Sequence, residues 1–203
     1  MELLAPAGSR KALTAAVQSG ADAVYLGGPQ FGARYSAENF TIEEMKTWVD
    51  YCHLYGVDVH VTVNTLVKEK EIESLKEYLK QLNKIGVDAL IVQDMGAVEI
   101  IKKTVPDMTL HASTQMTVTS LEGVKYLEDM GFSRVVLARE LSEKEIEHIC
   151  KNAKAEIEVF VHGAICMCYS GQCLMSSILG GRSGNRGRCA QPCRLPYDLL
   201  ENG

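Results

Sequence analysis

The sequence lacks any apolar run close to the roughly 18 residues that a membrane-spanning helix needs. It also lacks the basic opening stretch of a secretory signal peptide, since its first residues pass directly into a predicted strand. These two absences exclude a helical membrane protein and predict a cytoplasmic one. The seven cysteines are then expected to be reduced and free to bind metal, not paired in disulfides.

Several common catalytic motifs are absent as well. The chain contains neither the HExxH pattern of zinc proteases nor the GxSxG pattern of serine hydrolases. The first strand-to-helix turn lacks the glycine fingerprint of dinucleotide-binding folds. His162 precedes Cys166 by four residues and could form a Cys/His pair. If Cys166 binds a metal cluster, however, its thiolate is not a free nucleophile.

The charge is unevenly distributed. The net charge of −5 argues mildly against a surface that is coated by nucleic acid throughout. Residues 161–203, however, hold four arginines and only two acidic residues, whereas the remaining residues are strongly acidic in balance. Positive charge is therefore concentrated beside the cysteines.

Strand and helix patterns alternate in units of roughly 25 to 35 residues, which is typical of βα repeats around a parallel sheet. The junction Gly-apolar-Asp-apolar occurs at residues 20–23, 56–59 and 86–89, with a weaker copy at 131–134. Each copy is predicted to end a helix and begin a strand. Seven strands with short connections favour an α/β fold of the (β/α) TIM-barrel type over a doubly wound sheet.

The predicted barrel is incomplete, since a full barrel of this type has about 250 residues. Residues 1–163 are expected to form about seven βα units. Residues 164–203 are expected to form a Cys/Gly/Arg-rich loop after strand 7 and the start of a segment that continues in a longer protein. Within this last part, residues 195–200 resemble one more strand.

Polar residues recur where the predicted strands end, which is where parallel barrels carry their active sites. The competing interpretation is that strand ends turn polar because they reach solvent. His111 and Glu140 are the best acid/base candidates, because a cleft can shift their pKa. His60, inside a strand, is predicted to be structural. The residues assigned to a catalytic barrel mouth are His111, Gln115, Glu140 and His162.

Five of the seven cysteines lie between residues 166 and 193 and predict a metal or cluster site. Four thiolates can hold a 4Fe-4S cluster or zinc, and the spacing matches neither zinc-finger nor ferredoxin patterns, so it does not choose between them. The alternative is a set of free cysteines in a loop of small residues. The predicted ligands are Cys166, Cys173, Cys189 and Cys193, and Cys168 is the spare thiol.

The stretch 180–188, GGRSGNRGR, is rich in glycine and arginine. Backbone amides and guanidinium groups suit phosphate or carboxylate ligands. Arg182, Arg186 and Arg188 are therefore predicted to contact RNA phosphate or an anionic small molecule. A solvated flexible loop is the alternative.

Residues 158–176 match the pattern E-x-F-x-x-G-A-I-C-x4-G-x-C-x-M-S. Together with the opening ELLAPAG, the strand AVYLGG and the stretch RGRCAQPCR, this pattern resembles the peptidase U32 family, the collagenase-like proteases. The resemblance covers the whole chain. Family members are longer, which agrees with the predicted incomplete barrel.

The resemblance implies more than proteolysis, because several family members are hydroxylation proteins. Some modify the wobble uridine of tRNA, some a cytidine of rRNA, and some act in oxygen-independent ubiquinone synthesis. These proteins carry a cysteine-bound 4Fe-4S cluster, and the RNA-acting ones are tied to prephenate as the hydroxyl source. By resemblance, Cys166, Cys173 and Cys189 fall on cluster-ligand positions, and the fourth ligand is either Cys193 or a cysteine further downstream.

The sequence thus predicts a cytoplasmic U32-family enzyme that hydroxylates tRNA or rRNA with an iron–sulfur cluster, and prephenate is a candidate further partner. One alternative is a collagenase-like peptidase that acts on protein or peptide substrates. Another is a non-catalytic protein whose metal is only structural.

Overall fold

The computed structural model describes residues 1–33 and 38–198, in which strands and helices alternate along the chain. The strands are β1 (Leu4–Pro6), β2 (Ala23–Gly27), β3 (Asp58–Val63), β4 (Ala89–Val92), β5 (Thr109–Ala112), β6 (Arg134–Val136) and β7 (Glu156–Glu158). The helices are α1 (Arg10–Gln18), α2 (Ile42–Leu54), α3 (Ile72–Ile85), α4 (Met95–Thr104), α5 (Leu121–Asp129), α6 (Glu143–Asn152) and α7 (Met175–Gly180). No helix in the described ranges is long and apolar enough to cross a bilayer.

The seven strands form one sheet in chain order, and each strand is parallel to its neighbours. Outward-facing side chains such as Val24, Val61 and Leu90 are fully buried in the core beneath the helices. The result is a curled half-barrel with helices on its outer face, and β1 and β7 are its two edges. This confirms the predicted α/β class and the seven units of an incomplete TIM-type barrel.

The repeated Gly-apolar-Asp junction has a structural role at the starts of the strands. Gly86 ends α3 with a left-handed backbone, φ 84°, a conformation that glycine adopts without strain. Two residues later, Asp88 accepts a hydrogen bond of 2.7 Å from the backbone N–H of Val59 in the neighbouring strand. Asp22 accepts the N–H of Leu3 at 2.7 Å in the same way. These two junctions, at residues 20–23 and 86–89, therefore end a helix and tie the next strand to the preceding one.

Two parts of the sequence differ from the predictions or fall outside the described residues. Helix α7, between the cysteines, was not predicted, because its six residues are too few to show a helical period. Of the stretch 195–200 that resembles a strand, residues 195–198 form no strand and residues 199–200 lie outside the described ranges.

The inner face of the half-barrel is polar, in contrast to its outer face. Alternation along β3 and β5 turns His60 and His111 inward, where both are buried and their rings pack edge to face with centroids 4.7 Å apart. Arg134 of β6 forms two hydrogen bonds to Glu2, at 2.6 and 2.5 Å, and others to Glu156 of β7. Arg134 therefore links Glu2, which lies just before β1, with β7, across the gap between the two sheet edges.

Burial controls the protonation of these interior groups. It lowers the pKa of His111 from 6.5 to about 3, and the neighbouring His60 and Arg134 act in the same direction. Burial also lowers the pKa of His60, again with help from Arg134. Burial raises the pKa of Glu158, which lies near Arg134 on the same inner face. The fold therefore favours uncharged imidazoles inside the barrel.

We expect acidification from pH 6.5 to about pH 5 to destabilise the fold through these histidines. In this range the unfolded chain binds protons at its histidines while the folded His111 stays neutral, so stability is lost as pH falls. The free energy of unfolding from urea titrations should drop by about 1–2 kcal/mol for His111 alone. His111→Gln should reduce this pH dependence, and the exposed His148→Gln is the matched control. Equal pH dependence in the wild type and His111→Gln would contradict the assignment.

Candidate functional site

A cavity of about 330 Å³ opens at the carboxyl ends of the strands. The residues that line it come from the ends of β2 and β3, from the turns after β5 and β7, and from the cysteine-containing stretch. They are Tyr25, Ala33, Thr62, Asn64, Thr114, Gln115, Phe160, Cys166, Ser170 and Gly171. The structure therefore places several polar strand-end residues at one barrel mouth. A second hollow, of about 460 Å³, lies on the outer layer between α5 and α6 and shares none of these residues.

The Cys-rich segment, residues 164–194, covers one side of this mouth. Arg139, just after β6, donates a short hydrogen bond to the Ser170 hydroxyl and a longer one, 3.4 Å, to the Ala164 carbonyl. At Gly171, where φ is +77°, an added Cβ would lie only 2.8 Å from the Gln115 side-chain nitrogen. Only glycine therefore lets the segment cross so closely over Gln115.

The glycine- and arginine-rich part of the segment is tied to the loops around the mouth. Asn185 accepts the N–H of Leu66 at 3.1 Å and donates to Gln93 at 3.2 Å. Arg186 forms a two-pronged ion pair with Glu71, at 2.7 and 3.2 Å, and also donates to the Leu66 carbonyl at 3.0 Å. The ion pair lowers the pKa of Glu71. This part is thus anchored to the barrel through bonds that span more than a hundred residues of sequence.

The three predicted phosphate-binding arginines differ in their surroundings. The Arg186 guanidinium is engaged by Glu71, so in this structure it holds the segment in place. Arg182 is exposed and donates to the Arg188 carbonyl at 3.0 Å. Arg188 is exposed as well. Binding of phosphate by any of the three stays a prediction.

The four predicted catalytic residues do not share one place. Gln115 lies in the cavity wall, and its side-chain oxygen is buried without a hydrogen-bond partner. His111 lies inside the half-barrel, where its Nδ1 is likewise buried and unpartnered. Glu140 and His162 are exposed, and the described cavity lining includes neither. Of the four, Gln115 alone is part of that lining.

The predicted metal ligands lie on one segment, and thiols are the donors that iron–sulfur clusters and zinc prefer. Cys166 lines the cavity. Cys173 and Cys189 flank Gly184, whose added Cβ would lie 3.5 Å from the Cys173 carbonyl and 3.7 Å from the Cys189 Cβ. The donor chemistry therefore fits a metal centre, and Cys166 is the thiol that lies at the mouth. In the described ranges, however, no three cysteine, histidine or acidic side chains converge on a metal-binding geometry.

The cavity also contains residues that sequence reasoning missed. Phe160 lines it, and the Arg139 guanidinium lies 5.9 Å from the centre of the Phe160 ring. Gly171 and Ser170 line it as well. Phe160 and Gly171 are fixed positions of the pattern in residues 158–176, so the signal for these two was present in the sequence.

Replacing Gly187 by alanine should loosen the anchored segment. Gly187 has φ +71°, and an added Cβ would lie 2.2 Å from the Ala33 carbonyl oxygen, which is a backbone atom that cannot turn away. Trypsin should then cleave after the segment's arginines at least several-fold faster than in the wild type. The matched control is Gly180→Ala, because an added Cβ at Gly180 meets nothing within 4 Å. Unchanged cleavage in Gly187→Ala would contradict the anchoring.

Comparison with known proteins identifies relatives along the whole chain. The sequence matches Peptidase family U32 over residues 8–203. It is 46% identical over 202 residues to the 23S rRNA 5-hydroxycytidine C2501 synthase of Escherichia coli K12, covering 100% of this chain and 30% of that protein. It is 42% identical over 200 residues to tRNA hydroxylation protein P1 of Bacillus subtilis 168, covering 98% of this chain and 47% of that protein. The chain thus spans less than half the length of these two relatives.

A solved structure agrees with this relationship at the level of the fold. A U32 peptidase superposes with a TM-score of 0.67 at 22% identity, over 82% of this chain and 71% of that one. The family match extends over nearly the entire sequence and includes every cavity residue. The chain therefore belongs to peptidase family U32.

Proposed function

We propose that this chain is the barrel portion of an RNA hydroxylation enzyme that adds a hydroxyl group to a pyrimidine of tRNA or rRNA. The observation that carries the proposal is the identity of 42–46% along the whole chain with two proteins named for RNA hydroxylation. The cavity at the barrel mouth supports it, because this is where enzymes of the TIM-barrel type carry their active sites.

The proposed cofactor is a 4Fe-4S cluster bound by Cys166, Cys173, Cys189 and Cys193. Four free thiols on one segment, of which Cys166 lines the cavity, support this assignment, and zinc is the alternative metal. When bound, such a cluster supplies one-electron redox chemistry. The residues of the chain would bind and orient the RNA next to it. Because the four sulfurs do not converge in this structure, the cluster would have to draw the turns of the segment together.

The exposed Arg182 and Arg188 are proposed to attract RNA phosphates or an anionic cosubstrate. Prephenate is the proposed hydroxyl donor, and its carboxylates would suit the same guanidinium groups. tRNA and ribosomes are cytoplasmic, so we propose that the protein acts in the cytoplasm. These assignments concern a whole protein, and this chain spans less than half the length of the two relatives.

The peptidase alternative rests on the family name. A cysteine peptidase needs an imidazole that contacts its thiol. In the described ranges the structure records no hydrogen bond between a histidine and Cys166, and His111 lies inside the half-barrel with its pKa lowered to about 3 by burial. RNA hydroxylation is therefore the function that the site supports better.

The proposal predicts that cells without the gene lose a hydroxylated pyrimidine from their RNA. Nucleosides from tRNA and rRNA would be compared by mass spectrometry in wild-type and deletion cells. The full-length gene should restore the modification, and the Cys189→Ser gene should reduce it at least tenfold. Cys168→Ser, which replaces the spare thiol on the same segment, should restore it. Unchanged hydroxylated nucleosides in the deletion strain would overturn the proposal.

A further inference from the structure

The buried side-chain oxygen of Gln115 marks a candidate recognition site. Gln115 is 8% exposed, and its Oε1 atom is buried with no hydrogen-bond partner. A buried acceptor without a partner costs free energy, so native proteins rarely keep one unless a ligand or water supplies the donor. Gln115 lines the mouth cavity, so a ligand held in the cavity lies beside this side chain.

The position of Gln115 is fixed by its surroundings. The Ser113 hydroxyl accepts the Gln115 backbone N–H at 3.2 Å, in the short 3-10 helix that follows β5. Gly171 crosses close over the side chain, since an added Cβ would lie 2.8 Å from the Gln115 side-chain nitrogen. The Gln172 side-chain nitrogen lies 3.5 Å from the Gln115 carbonyl and 3.4 Å from the Thr117 hydroxyl. Gln115 is thus held between the barrel and the Cys-rich segment, as a specificity-determining residue needs to be.

The chemistry of the cavity wall indicates the class of ligand. The described residues that line it include no lysine, arginine, aspartate or glutamate. Such a lining of neutral polar groups suits an uncharged ligand. The polar groups are amides and hydroxyls, with Asn64, Thr62 and Gln115 among them. These are groups that hydrogen-bond the edge of a heterocycle.

Aromatic side chains complete the wall. Phe160 and Tyr25 both line the cavity, and the Arg139 guanidinium lies 5.9 Å from the centre of the Phe160 ring. Aromatic rings and arginine guanidinium planes are the platforms on which proteins stack single nucleobases. The volume of about 330 Å³ is at the small end of ligand pockets, which range over roughly 300–1,000 Å³. The cavity therefore has the dimensions of a pocket for one nucleoside.

We propose that the mouth cavity holds a single pyrimidine base taken out of the RNA stack, with Gln115 hydrogen-bonding its polar edge and Phe160 stacking on its ring. This assignment rests on the proposed function and names the group that enters the site. A base inside a helix cannot reach the buried Gln115 oxygen, so the base must leave its stack first. The Gln115 oxygen accepts either the cytosine N4–H or the uracil N3–H, so the same residue serves both pyrimidines.

The test uses RNA hairpins that carry one bulged position, which is cytidine, uridine or an abasic ribose. The abasic hairpin measures binding through the backbone alone. Wild-type protein should bind the two pyrimidine hairpins about tenfold more tightly than the abasic one in fluorescence anisotropy titrations. Gln115→Leu should lose most of this difference and keep its affinity for the abasic hairpin. Gln18→Leu, at the far end of α1, is the matched control and should keep the difference.

Phe160→Leu provides a second, independent variant, because Phe160 is half-exposed and its replacement should leave the fold intact. It too should reduce the preference for the pyrimidine hairpins. Equal affinity of the wild type for pyrimidine and abasic hairpins would overturn the proposal, as would an unchanged preference in both variants. If the deletion strain loses hydroxylated nucleosides but no base preference is found, this pocket assignment fails alone. If base preference is found but no hydroxylation depends on the gene, the proposed reaction fails and the pocket stands.

Discussion

The ion pair between Arg186 and Glu71 is the contact on which the arrangement of the site depends. It joins the Cys-rich segment to the turn before α3, and the Asn185 contacts with Leu66 and Gln93 reinforce it. Two-pronged arginine–carboxylate pairs fix orientation as well as distance. With the segment held there, Cys166 and Gly171 form part of the cavity wall. The Arg139 contacts with Ser170 and Ala164 hold the other end of the segment to the barrel.

The half-barrel beneath the site holds a charged arginine on its inner face. Its outer face buries aliphatic side chains against the helices, while its inner face carries two neutral histidines and the charged group of Arg134. A buried arginine is tolerated only when carboxylates satisfy it, and here Glu2 and Glu156 do so. Because these carboxylates belong to opposite edges of the sheet, the same ion pairs also hold the curled sheet together.

Much of the fold could be predicted from the sequence because βα units are local. Thr41 begins α2 as its N-cap and Gly86 ends α3, and each acts within a few positions of its helix. Contacts between distant residues carry no such local signal. The pairing of Arg186 with Glu71 spans 115 positions, and no local pattern in the sequence indicates it. The lowered pKa of His111 likewise comes from burial inside the half-barrel and then from His60 and Arg134, which no period in the sequence connects.

The central claim is that the Cys-rich segment supports a redox site at the barrel mouth. The metal content of anaerobically purified protein is its most direct test. Iron, acid-labile sulfide and zinc would be determined together with the visible absorption spectrum. The account predicts about four irons and about four sulfides per chain, with the broad visible absorption of thiolate-bound iron. Zinc at about one per chain would contradict it, because a closed zinc site provides no electron transfer. A full-length protein free of metal would contradict it as well.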